Sequence, residues 1–231
     1  MISKLRYLLA ICIGVLPAGG ILLWYRLTQT ANFTVSDMLV YPLVVGTGNI
    51  LLILALNKYL LRQKVGAFST GKGKWYLDIL SGLVLTGISF LLMYVERATF
   101  LRFLSQGKPP SREIIDLMTG LARNPLLLML WLGPVVWIGV ALYEEVVRVF
   151  FLNCLWGISG HRLWIYFSIF LVSLTTGLLH LYQGASGIVS VTLQGLVLAA
   201  YYYKFRRLLP LVVSHALYDS IQIIMFVMQV S

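Results

Sequence analysis

Residues 134–156 read PVVWIGVALYEEVVRVFFLNCLW, and this stretch decides the fold. Twenty-three helical residues rise about 34 Å, enough to cross a hydrocarbon core about 30 Å thick. Similar apolar runs lie on either side: Tyr7 to Tyr25, Met38 to Leu56, Trp75 to Tyr94, Leu163 to Tyr182, Ile188 to Tyr203 and Leu208 to Val230. The composition agrees. Of 231 residues, 59% are hydrophobic and 11% are charged, against about 25% charged in an ordinary soluble domain. A soluble globular protein is excluded. No runs of alternating outward apolar and inward polar residues suggest a barrel, and helices satisfy their own backbone groups in lipid. The sequence predicts an all-α, polytopic transmembrane helical bundle of about seven to eight helices, one integral membrane domain over residues 1–231. Asn124 to Leu132 is too short to cross alone and reads as an interfacial or re-entrant lead-in to the Pro134 helix. Ile188 to Tyr203, at 16 residues, is short for a crossing, so the turn Gln183 to Gly187 is expected to dip into the membrane.

The net charge of +10 comes from basic residues between spans, where they orient helices toward the cytoplasm and need no nucleic acid partner. With seven spans and a cytoplasmic N-terminus, Lys4, Arg6, Lys58, Arg62, Lys64, Lys72, Lys74, Arg162, Lys204, Arg206 and Arg207 all face inside. The expected setting is the plasma membrane of a bacterium or archaeon, with membrane lipid as an obligate partner. Lys4 and Arg6 precede an apolar run without a clean cleavage site, which reads as a retained first span. Cys12 and Cys154 both fall inside apolar runs, so no disulfide framework is expected. The aromatic residues Trp24, Tyr25, Trp75, Tyr76, Tyr201, Tyr202 and Tyr203 sit at span ends and suit the headgroup boundary. Asp78, near a span start, is expected to reach the interface, and His161 to be solvated.

Six ionisable residues stand against this apolar background: Glu144, Glu145 and Arg148 in one span, His180 in the next, and His215 and Asp219 in the last. Each costs about 2.5 to 3.5 kcal/mol near a helix centre, so such residues pair or line a hydrated cavity. Glu144 lies about 15 Å along its helix, close to mid-bilayer. Glu144 and Arg148 are i,i+4, Glu145 and Arg148 are i,i+3, and His215 and Asp219 are i,i+4. Adjacent glutamates point about 100° apart, so one can meet an arginine while the other faces a cavity. Acid, base and imidazole gathered in three helices point to proton chemistry. A polar network that only joins helices is the structural alternative.

These residues resemble the CAAX-protease and bacteriocin-processing family of intramembrane glutamic endopeptidases. The pieces are Glu144-Glu145-Val-Val-Arg148, Thr176-Gly-Leu-Leu-His180 and His215-Ala-Leu-Tyr-Asp219, with His180-Leu-Tyr-Gln183-Gly184 and the helix carrying Gly195 also similar. The likeness covers residues 134–220, an expected catalytic core. Two residues separate Glu145 from Arg148 where the family has three, which leaves either glutamate as the catalytic one, and Thr176 replaces the family's phenylalanine. The resemblance implies an endopeptidase of membrane-associated proteins or peptides that needs no cofactor or metal. Glu144, taken first, would act with His180 to activate a water, while His215 and Asp219 would stabilise the oxyanion and Arg148 would hold the second carboxylate ionised.

Other readings use the same helices. Gly184-Ala185-Ser186-Gly187 matches the GxSG signature of a serine rhomboid protease, with His215 as its histidine. There, however, another span separates the serine and histidine helices. His180, His215 and a carboxylate are zinc-ligand types, but the HExxH helix of intramembrane metalloproteases is absent. A transporter or a bacteriocin immunity factor also buries such residues, although no inverted halves are visible.

Overall fold

The computed structural model describes residues 4–17, 19, 35–99 and 112–230. Among these the chain is helical, with no strand: α1 (Lys4–Gly14), α2 (Val35–Ala55), α3 (Trp75–Thr99), α4 (Arg112–Ala122), α5 (Pro125–Ile158), α6 (Arg162–Leu179), α7 (Gly184–Phe205) and α8 (Leu209–Val230). Six described helices are long and apolar enough to cross a membrane: α3, α5, α6, α7, α8 and Leu39–Leu60, which joins α2 to a short π-helical continuation. The expected first span, Tyr7 to Tyr25, extends beyond the described residues, as do Trp24 and Tyr25.

One expectation about helix limits holds and one is corrected. Asn124 to Leu132 is a short lead-in to the Pro134 helix: Asn124 caps it, its Oδ1 accepting from the Leu126 and Leu127 amides at 3.1 and 3.2 Å, and Pro125 follows at the first helical position. Proline is tolerated there because the first-turn amides have no intrahelical partner. At Gly133 the backbone leaves helical geometry, at φ −90°, ψ −108°, and this kink within α5 separates the lead-in from the helix that starts at Pro134. Proline lacks an amide and crowds the preceding turn, so a kink is the expected local answer. The start of the next helix but one is corrected: α7 starts at Gly184 and spans 22 residues, about 33 Å. The expected dip at Gln183 to Gly187 is therefore a 3₁₀ turn over Leu181–Gln183 followed by the first turn of a full crossing. Gly184, at φ 79°, makes that reversal, a backbone state glycine adopts without steric cost.

Close helix contacts are built on small residues. A Cβ on Gly46 of α2 would lie 2.9 Å from the Gly139 carbonyl of α5, and one on Gly139 would lie 2.8 Å from the Pro42 carbonyl carbon. On α6, a Cβ on Gly177 would meet Thr192 Oγ1 of α7 at 2.1 Å. Such approaches bring backbones together where lipid supplies no hydrophobic drive between helices. Helices α3 and α8 also pack side by side, with Thr86 Oγ1 donating to the Ser214 carbonyl at 3.4 Å and the Phe90 and Tyr218 rings 4.8 Å apart.

One end of the bundle collects the basic connections. The Gly71 amide donates to the Arg206 carbonyl at 2.9 Å, and the Arg206 guanidinium lies 4.3 Å from the Trp156 ring. Arg207 clasps Asp78, donating from Nε to Oδ1 at 2.9 Å and from Nη2 to Oδ2, while its Nη1 donates to the Gly71 carbonyl at 2.7 Å. Asp78 is thus buried in an ion pair. Tyr202 is no boundary anchor. It is fully buried, stacked 6.0 Å from Trp156, and its hydroxyl accepts from Asn153 Nδ2 at 3.0 Å. Trp75 and Tyr76 remain exposed, as does His161. Cys12 is exposed and Cys154 buried, both as free thiols.

Candidate active site

The polar residues of α5 come first because their helix fixes their divergence. Glu145 is wholly buried and pairs with Arg148 one turn on, itself 4% exposed. Arg148 donates from Nη1 to Glu145 Oε1, on a stretch of α5 where Val146, Val149 and Phe150 are also buried. Removing two charges from water is costly unless they are paired and hydrogen-bonded, so this arginine belongs beside this carboxylate. Glu144 points elsewhere and keeps 27% of its side chain exposed. The expected division, one glutamate on arginine and the other open, is the observed arrangement.

Helix α8 brings the imidazole. His215 Nδ1 donates to Glu145 Oε1 at 2.8 Å, so one carboxylate oxygen receives both arginine and histidine. That bond leaves Nε2 of His215 facing two further carboxylates, Asp219 Oδ2 at 3.5 Å and Glu144 Oε2 at 3.9 Å. Asp219 keeps 28% of its side chain exposed. The nearer brace of His215 is therefore Glu145, across the helix interface, and Asp219 holds the opposite side of the ring. Glu145 Oε2 and Arg148 Nε are buried without a hydrogen-bond partner among the described residues.

The arrangement has recognisable chemical parts. A carboxylate fixing Nδ1 sets the imidazole's orientation and tautomer, as in carboxylate-histidine pairs generally. Nε2 then addresses a space shared by two accessible carboxylates, where one acid, one base and one donor can meet a single reacting group. Glu144, Glu145, Arg148, His215 and Asp219 are all in this cluster. His180 sits at the end of α6, where its Nδ1 donates to the Thr176 carbonyl at 2.9 Å. The Thr176 side chain bonds back to the Val172 carbonyl, so only the Thr176 backbone touches the imidazole in these bonds. No group of three or more His, Cys, Asp or Glu side chains suited to a metal ion is present among the described residues.

Ser186 has a partner of a different kind. Its hydroxyl donates to Glu96 Oε1 at 2.6 Å, and Glu96 is 2% exposed at the end of α3. The sequence placed Glu96 in the connection after that span, so this buried carboxylate went unnoticed. A serine nucleophile of the rhomboid type needs a histidine base, whereas this hydroxyl is bonded to a carboxylate.

Fold and site together define an integral membrane protein with a carboxylate-histidine centre inside its helical bundle. Residues 125–221 match the family described as type II CAAX prenyl endopeptidase Rce1-like. The matched residues include α5 through the first half of α8, and so every member of the cluster. No curated protein and no solved structure gives a significant match.

Proposed function

We propose that the protein is an intramembrane endopeptidase that hydrolyses a peptide bond near the C-terminus of a prenylated, membrane-associated protein, with a water molecule as nucleophile. The observation that carries this reading is the approach of His215 to Glu145, at 2.8 Å, with Glu144 and Asp219 on the far side of the ring. Glu144, the accessible carboxylate of the pair, takes a proton from water as it attacks the scissile carbonyl. The proton then passes to the amine as the C–N bond breaks. His215, held at Nδ1 by Glu145 and protonated at Nε2, donates to the developing oxyanion, and Asp219 fixes the ring from one turn below. Arg148 keeps Glu145 anionic and stationary. His180 enters as a second polar group on the attacking water because its motif resembles the family's, its tautomer set by the Thr176 carbonyl. A prenyl group suits the setting because a lipid-anchored tail is already confined to the bilayer.

The test is cleavage by the purified protein in proteoliposomes of a prenylated CAAX peptide and its unprenylated counterpart, with products identified by mass. One internal cut, faster in the prenylated peptide, is expected. Intact peptides of both kinds after prolonged incubation with folded protein would sink the reading.

A further inference from the structure

Helix α7 carries a second polar feature that the proposed chemistry does not use. Ser186, Ser190 and Gln194 follow at i, i+4 and i+8, which places them on one face of a helix whose other residues over this length, Thr192 apart, are apolar. Each has a polar neighbour. Ser186 donates to the buried carboxylate of Glu96, and Gln194 Nε2 donates to Ser190 Oγ at 3.5 Å. The hydroxyl of Tyr218 on α8 donates to Met93 Sδ at 3.4 Å and lies beside both Gln194 and Ser190. Tyr218 directly precedes Asp219, and Asp219 faces His215. From Ser186 to Gln194 the row covers about 12 Å of helix, running from the end of the bundle away from the basic connections toward the level of Tyr218.

Polar side chains inside a bilayer pair or line water. Glu96 makes the point most sharply: a buried carboxylate held by one hydroxyl has acceptor capacity left over, and an acid there is costly without further donors. We infer that the Ser186, Ser190 and Gln194 face of α7, with Glu96 and Tyr218 opposite, is a hydrated path that admits water from that end of the bundle to the cluster. Its role as a supply of the attacking water rests on the peptidase reading, but its hydration does not.

The test therefore reads water and not peptide cleavage. In the full chain carrying Cys12→Ala and Cys154→Ala, Ser190→Cys is reconstituted into liposomes and treated on both faces with a charged, water-soluble methanethiosulfonate. Val84→Cys, at a position 57% exposed on the flank of α3, is the lipid-facing control. Only the thiolate reacts, and it forms only where water can solvate it, so Ser190→Cys should be modified about tenfold faster or more. Should Ser190→Cys fail to fold, Gln194→Cys on the same face carries the same expectation. Modification no faster than at Val84→Cys would overturn the path whether or not the protein cleaves peptides. Rapid modification in a protein that cleaves nothing would keep the path and remove its catalytic purpose.

Discussion

Among the described residues the bundle contains two buried carboxylate-arginine pairs, and they differ in how completely they are satisfied. At the basic end, both oxygens of Asp78 accept from Arg207, and the remaining guanidinium nitrogen goes to the Gly71 carbonyl. Inside the bundle, Glu145 loads one oxygen with Arg148 and His215 and leaves the other without a partner among the described residues, and Arg148 Nε is likewise without one. The first pair is closed and ties a connection to a helix. The second is open and stands beside two accessible carboxylates. A saturated ion pair holds structure, whereas an incompletely satisfied one, next to a histidine, retains groups that can engage a substrate.

The sharpest way to break this contrast is to remove the histidine, the element the closed pair lacks. His215→Ala is expected to lower kcat by about 10²- to 10³-fold, the usual loss for an oxyanion donor, with the protein still folded because Arg148 continues to neutralise Glu145. Steady-state cleavage alongside a thermal melt checks both halves. Asp78→Ala should do the reverse. Stranding Arg207 costs about 3 kcal/mol as the order of effect for a largely buried pair, while kcat per folded molecule stays at the parent value. A dead but fully stable Asp78→Ala protein would abolish the distinction between the two pairs.

Smaller effects sharpen the account. Asp219→Asn keeps a hydrogen-bonding group of the same shape beside His215 and should lose little activity, whereas Asp219→Ala should lose more, with both falling short of His215→Ala. If Asp219→Asn equals His215→Ala, the charge itself is needed and Asp219 moves to proton transfer. Smallest of all, EDTA or phenanthroline should leave the cleavage rate where it was, since the proposed base is a carboxylate. Zinc-restorable loss would replace that base with a metal-bound water. Fluorophosphonates should likewise leave Ser186 unlabelled.

Much of this was legible before any coordinates. The cost of Glu144, Glu145, Arg148, His215 and Asp219 in lipid marked each one, and helical spacing said that one glutamate could meet the arginine while the other faced open space, without saying which. Their pairing was another matter. His215 and Glu145 lie 70 residues apart, and no local rule links them. The same distance problem hid Arg207 from Asp78, 129 residues away, and Tyr202 from its stack on Trp156. One helix limit failed for a different reason. Residues 183–187 read as a turn by local preference, but a glycine with positive φ, here Gly184, can open a crossing as readily as end one. Pro134 read as a helix start, and the kink at Gly133 makes it one. Ser186 was weighed as a nucleophile because its motif is local, while its carboxylate partner, Glu96, sat at the edge of a segment assigned to a connection.

The central claim is that Glu144 acts as the base and Glu145 as the fixed brace. The kcat of Glu144→Gln in proteoliposomes, measured beside its thermal midpoint, tests this most directly. The account predicts a loss of about 10²- to 10⁴-fold with the midpoint held near that of the parent, because Glu144 takes no part in the Arg148 pair. Cleavage by Glu144→Gln at the parent rate would contradict it.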